Sequence, residues 1–211
     1  MVFGCAAMFF SSAACVHSAP DSRLDLELQT LLEILPGRYA GRVPKGLSPD
    51  GEMQNVVHQI VPVEAPQFGE HVLLYKLYAE DAEARPMQIK VFVFDTAPER
   101  SANRMRAYIF LPDHETDELA DVTIHVSGTD PETLMSFPES CAFEWKTMDA
   151  GFSGTVDPSK CIYPSRAFGT DIRPQMTYRI QGDLFEWDES LFTGNMDLIV
   201  GTGGMRQAIR K

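Results

Sequence analysis

Positive charge is scarce in this chain: 18 Lys and Arg stand against 30 Asp and Glu, a formal net charge of −12 over 211 residues. Binding a polyanion needs clustered cations that release counterions, so a nucleic acid is excluded as the expected partner. The one basic cluster, Arg206 to Lys211, reads as the solvated end of a strand. Metal-ligand spacing is also lacking. The five histidines, at 17, 58, 71, 114 and 125, fall into no ligating pattern and no Cys-x-x-Cys occurs, so no metal site is predicted. Gly151-Phe-Ser153-Gly154 lacks the spacing of a nucleophile elbow, and Gly201-Thr-Gly-Gly204 lacks the strand-then-helix setting of a phosphate loop. No βαβ alternation and no repeat of solenoid length is present, which removes the doubly wound and repeat architectures.

A long apolar run occurs only at the start. Residues 1–19, MVFGCAAMFFSSAACVHSA, resemble the hydrophobic core of an export signal, although no Lys or Arg precedes it. The run is short and rich in Ser and Ala for a membrane span. Ser12-Ala-Ala-Cys15 is similar to a bacterial lipobox, which would make Cys15 a lipidated first residue; cleavage after Ala19 is the other option. Contact with a membrane is expected only through such a lipid anchor. The expected location is periplasmic or exported if the leader is genuine and cytoplasmic otherwise.

The remainder, 20–211, has the size and the 44% hydrophobic content of a single soluble domain. Leu24, Leu28, Leu31, Leu32 and Leu35 recur at helical spacing, Asp21 or Ser22 can cap the start, and Pro36-Gly37 ends the helix. The period then changes to two. Strands are expected over 38–43, 52–63, 71–79, 87–95, 103–111 and 121–127, with a single helical turn at 132–137. After the cysteine hairpin come a loop over 162–173 and strands over 176–182, 184–188, 196–200 and 205–210. One amphipathic helix followed by about ten meandering antiparallel strands makes a mainly antiparallel all-β protein, either a sandwich or a closed barrel. Tyr75 with Leu77, and Phe92 with Phe94, supply inward-facing bulk. A barrel of this size either keeps a ligand-sized calyx or has a filled core.

From Ser140 to Cys161, Phe143 and Trp145 alternate with polar neighbours, Asp149-Ala-Gly151 supplies a turn, and Phe152, Gly154 and Val156 begin the return. Cys141 and Cys161 fall at the open ends of this hairpin. A disulfide is expected there, with two buried unpaired thiols as the alternative.

Several stretches resemble the T-type phycobiliprotein bilin lyases, the CpcT/CpeT chromophore lyase family. They are Leu32-Glu-Ile-Leu-Pro-Gly37 with Arg38-Tyr-Ala-Gly41, the strand Asn103-Arg104-Met-Arg106-Ala-Tyr108, the hairpin carrying Cys141, Trp145, Phe152-Ser-Gly154 and Cys161, and Met176-Thr-Tyr178. The likeness runs from about Leu31 to Arg210. It departs at Val200-Gly201, where a Trp-Gly is usual, at Tyr39 in place of a Trp, in the long insertion 43–55, and in the leader. The resemblance implies a lipocalin-like calyx that cradles a linear tetrapyrrole (bilin) and assists its thioether attachment to a cysteine of a phycobiliprotein. The pigment would be a ligand and not a resident cofactor.

Arg104, Arg106 and Tyr108 are two apart on one strand and therefore share a face. If that face is the interior, the two guanidinium groups suit the two propionates of a bilin; otherwise they face solvent or pair with native carboxylates. Trp145 and Phe152 would stack on pyrrole rings or pack the core. Glu144 and Asp95 are candidates to handle a proton, and a cysteine nucleophile is the less favoured use of Cys141 or Cys161. The catalytic residues stay unassigned. Two functions follow: a bilin-lyase-like protein, or an exported lipocalin-like binding module or lipoprotein without catalysis.

Overall fold

The computed structural model describes residues 22–45, 51–82, 85–110, 126–165 and 168–211. The leader 1–19, Cys15 and the capping side chains at 21 and 22 lie outside the described residues. Helix α1 spans Ser22–Ile34. Among the described residues thirteen strands follow: β1 Gly37–Pro44, β2 Met53–Pro62, β3 His71–Ala79, β4 Gln88–Ala97, β5 Ala102–Phe110, β6 Met135–Ser136, β7 Phe143–Met148, β8 Gly151–Thr155, β9 Tyr163–Ser165, β10 Thr170–Gln181, β11 Leu184–Thr193, β12 Leu198–Gly201 and β13 Arg206–Arg210.

Every described pairing is antiparallel. The ring runs β11-β13-β1-β2-β3-β4-β5-β7-β8-β10 and returns to β11, because β10 and β11 also pair. This is a closed ten-stranded barrel of the lipocalin-like calyx type, with β6, β9 and β12 attached outside the ring. Closure leaves the ring itself without an unpaired edge. Strand period two sorts the side chains: Phe92 and Phe94 of β4, Met105 and Ala107 of β5, Phe143 and Trp145 of β7, and Phe185 and Trp187 of β11 all enter one interior core.

Helix α1 plugs one end of the barrel. Leu24, Leu28, Leu31 and Leu35 are all buried, and Leu26 on the opposite side is 64% exposed, so the leucine stripe is the face turned to the core. The last turn of α1 contains no basic residue. The carbonyls at and just after its end are met instead by β13 and β1: the Arg210 guanidinium donates to Ile34 O at 2.6 Å and Pro36 O at 2.7 Å, while Tyr39 OH donates to Leu35 O at 2.8 Å. A cation there complements the negative end of the helix.

A second apolar cluster lies on the outer side of β3 and β4, where Phe68, Val72, Leu74, Val91 and Val93 pack with Val126. The strand expected over 121–127 falls largely outside the described residues, and 126–128 form a helical turn. Gln67 holds that turn by donating to Val126 O and Ser127 O. Two further expectations change. The turn expected at 132–137 divides into a 3-10 turn at Pro131–Thr133 and the short strand β6. The loop expected over 162–173 contains β9 and the first residues of β10, where Pro174 still aligns with Leu191 and carries the strand on.

The Cys141–Cys161 disulfide is formed at the open end of the β7–β8 hairpin. Within it, Gly154 lies opposite Trp145, and a Cβ at that position would come within 2.3 Å of the indole. Only glycine leaves room for this ring in the core.

Candidate functional site: the barrel mouth

The end away from α1 is open. A cavity of about 220 Å³ there is lined by Tyr75, Leu77, Met87, Trp187, Glu189 and Val200. Beneath it the interior is filled by aromatic rings. Phe143 and Tyr178 stack at 4.9 Å and 7°, Phe185 and Trp187 at 5.9 Å and 11°. The calyx is thus shallow, with a packed core under its floor.

That floor is ionic. Lys90 Nζ donates to Glu189 Oε2 at 2.5 Å and to Tyr178 OH at 3.3 Å, and Tyr178 OH donates to Glu189 Oε1. Lys90 is 2% exposed. Burial pushes the Glu189 carboxyl up, but the Lys90 charge and the hydrogen bonds from Lys90 and Tyr178 outweigh it, and its pKa falls below the ordinary carboxylate value. The carboxylate is therefore ionised. Each of its oxygens accepts one bond here and retains further acceptor capacity.

His58 lies deeper. Its Nδ1 is 2.9 Å from Tyr75 OH and its ring is 4.1 Å from the Trp187 centroid. Burial is the main reason its pKa is lowered to about 3, ahead of the opposing pull of Glu189 and the push of Lys90, so the imidazole is neutral. On the outer side of β11, the Asp188 carboxylate accepts from Ser190 Oγ at 2.7 Å and Thr202 Oγ1 at 2.6 Å. Thr202 Oγ1 also accepts from the Glu189 N–H at 3.2 Å. These bonds fix β12 and the backbone of Glu189 at the rim.

The residues singled out in the sequence take other places. Arg104, Arg106 and Tyr108 do share one face of β5, but the interior belongs to Met105 and Ala107, so the arginines stand on the outer wall. Strand alternation leaves no other choice once Met105 and Ala107 point inward. Arg104 makes a bidentate pair with Asp95, 2.8 Å at each oxygen, and reaches Glu139 at 2.7 Å. Asp95 is thereby engaged on the outside, as is Glu144, which pairs with Arg100 at 3.2 Å. Neither carboxylate expected to handle a proton lies in the calyx. Trp145 and Phe152 face inward and are buried in the core, 1% and 6% exposed, with no opening onto the mouth cavity. The disulfide occupies both Cys141 and Cys161.

Lys90 and Glu189 were the residues that sequence reasoning missed. The signal was available: Phe92 and Phe94 face inward, and counting back by two reaches Lys90. Counting forward from Trp187 reaches Glu189.

No protein-family model matches the sequence, and no curated protein matches it. The solved structure of the selenomethionine form of the CRL protein of Arabidopsis is similar, with a TM-score of 0.64 and 12% identity over 90% of this chain and 99% of that one. At such identity the likeness is one of fold. No helix among the described residues is long and apolar enough to cross a membrane.

Proposed function

We propose that the barrel binds a linear tetrapyrrole at its mouth and holds it for thioether attachment to a phycobiliprotein cysteine, as a bilin-lyase-like protein. The reading is carried by the ionised Glu189 carboxylate on the floor of an aromatic-walled cavity. Pyrrole N–H groups are donors that suit a carboxylate acceptor, and flat conjugated rings suit Trp187 and Tyr75. The Lys90 charge favours the ionised form of that acceptor on the floor of the cavity. A cavity of about 220 Å³ admits one end of the pigment, leaving the rest along the rim, where Met87 is 49% exposed. An acceptor protein would then meet a pigment whose outer end is accessible.

Mixing the purified protein with phycocyanobilin should shift and sharpen the pigment's absorption, and Glu189→Gln should weaken that change. A spectrum that stays that of free pigment at high protein excess defeats the reading.

The alternative, an exported binding module without catalysis, is favoured by the cavity's size, which falls below the roughly 300–1,000 Å³ of sites that enclose drug-sized ligands. A structural disulfide also suits an oxidising compartment. Under this reading, the pigment or a smaller apolar molecule binds, but no covalent adduct forms when a phycobiliprotein apoprotein is added.

A further inference from the structure

The outer wall holds a second cavity, independent of the mouth. It has a volume of about 220 Å³ and is lined by Arg106, Tyr108, Ser136, Phe137, Pro138 and Glu139. The wall itself creates it: β5 pairs with β7 through Asn103, Arg104 and Met105, then with β6 through Tyr108 and Ile109. Between these two pairings the chain from Phe137 to Ala142 turns away and leaves a recess beside Arg106 and Ala107.

The two arginines of this face are used very differently. Arg104 is engaged through all three of its nitrogens, by Asp95 and by Glu139. Among the described residues, Arg106 has one ion pair, to Asp95 Oδ2 at 3.7 Å, and that oxygen already accepts from Arg104 at 2.8 Å. The Nε of Arg106 is buried without a hydrogen-bond partner. Among the described residues, the hydroxyls of Tyr108 and Ser136 also make no side-chain hydrogen bond, although Tyr108 is held by an edge contact with Phe68 at 5.3 Å. A guanidinium with spare donors costs stability when it is partly withdrawn from water without a partner. Arg106 lines this recess with Tyr108 and Ser136, two hydroxyl-bearing residues, and with an apolar side made by Phe137 and Pro138; it also lines the recess on the Asp95 side of the strand. Glu139, the one acid of the lining, is engaged by Arg104 and 75% exposed.

We propose that this recess is a binding site for a small monocarboxylate with a short apolar or aromatic tail. The carboxylate takes the Arg106 guanidinium as its charged partner and hydrogen bonds from Tyr108 and Ser136, while the tail packs on Phe137 and Pro138. The volume sets the size, since it lies under the range that encloses drug-sized molecules. The charge sets the class: a carboxylate matches the planar fork of Arg, whereas an amine would meet a cation.

The test uses 3-phenylpropionate and its uncharged amide, titrated into the oxidised full chain and followed by backbone amide shifts in NMR. The acid should bind saturably, with shifts centred on Tyr108, Ser136 and Phe137, and should weaken as salt is raised. The amide should bind at least tenfold more weakly, and Arg106→Gln should lose a similar factor, because a hydrogen bond to a charged group is worth about that much or more. Tyr108→Phe, which removes only a hydroxyl, should weaken the acid by a smaller factor and leave the fold unchanged. Equal binding of acid and amide, shifts centred on Trp187 and Leu77 of the mouth, or no saturation by about 10 mM each overturn the proposal. A folded Arg106→Gln protein that binds as wild type does so too. Failure of the pigment to bind at the mouth has no bearing on this outcome, so the two sites are judged separately.

Discussion

Lys90 Nζ and Glu189 Oε2 meet at 2.5 Å across the lumen, although their strands β4 and β11 are five places apart in either direction around the ring of ten. The pair is a strut between opposite walls, and it separates the open mouth from the aromatic core. Lys90→Met should cost about 3 kcal/mol in urea denaturation, because the carboxylate is left without its counter-charge. Lys90→Met/Glu189→Met should cost less than the two single changes added together, since the double change leaves no unpaired charge. The Glu189 pKa is lower in the folded chain, so its contribution is present above the unfolded carboxylate value near 4.5 and is lost as pH falls through the folded value. Glu189→Gln should remove that acid-side loss.

Acid should act on the barrel earlier, through His58. Its pKa falls from 6.5 unfolded to about 3 folded, so between those values the unfolded chain binds a proton that the folded one refuses. Stability should be unaffected by this group above pH 6.5. Below it, stability should decline by about 1.4 kcal/mol per pH unit until the folded value is reached. His58→Phe should remove this slope in denaturation curves taken from pH 8 to pH 4, while losing the bond to Tyr75 at every pH.

Reducing the Cys141–Cys161 bridge frees a loop of 20 residues' separation. Chain entropy puts the cost at about 3 kcal/mol. Cys141→Ser/Cys161→Ser should therefore shift the urea midpoint down by a corresponding amount, and reductant should shift the native protein but not the variant.

Arg104→Ala should cost about 1 kcal/mol, the scale of a partly exposed ion pair, and should leave any pigment spectrum as it is in the native protein. Its fork is spent on Asp95 outside the barrel. A spectral effect as large as that of Glu189→Gln would move the ligand from the mouth to the outer wall.

Gly154→Ala tests the core directly, because the added methyl meets the Trp145 ring. A loss of about 1–3 kcal/mol is expected from displacing a large buried side chain, with the indole fluorescence shifting to longer wavelength.

The fold was legible because its signals are local. Leucines at helical spacing located α1, alternation located β1 to β5, and the two cysteines at the ends of one hairpin pointed to the disulfide over the alternative of free thiols. Pro174 and the polar residues around it hid the first turns of β10, since nothing nearby in sequence reveals that β11 continues opposite them. The site was less legible for a related reason. Arg104 and Arg106 drew notice as charges in a strand, but which face of a strand looks inward is set by its neighbours Met105 and Ala107. Lys90 and Glu189 lie 99 positions apart, and no local pattern joins them. Each reads alone as a charge in an apolar strand, and only the closed ring turns the two into one feature.

The fastening of α1 by Arg210 bears on the order in which the molecule is assembled. The hydroxyl of Tyr39 and the guanidinium that meets it at 2.7 Å are 171 positions apart, and β1 finds β13 only at the final seam of the ring. An emerging chain therefore carries a leucine-striped helix with no finished vessel to stopper until its distal segment arrives. Contacts of such long range make folding slow. During that wait the exposed leucines are the segment most in need of a chaperone's protection.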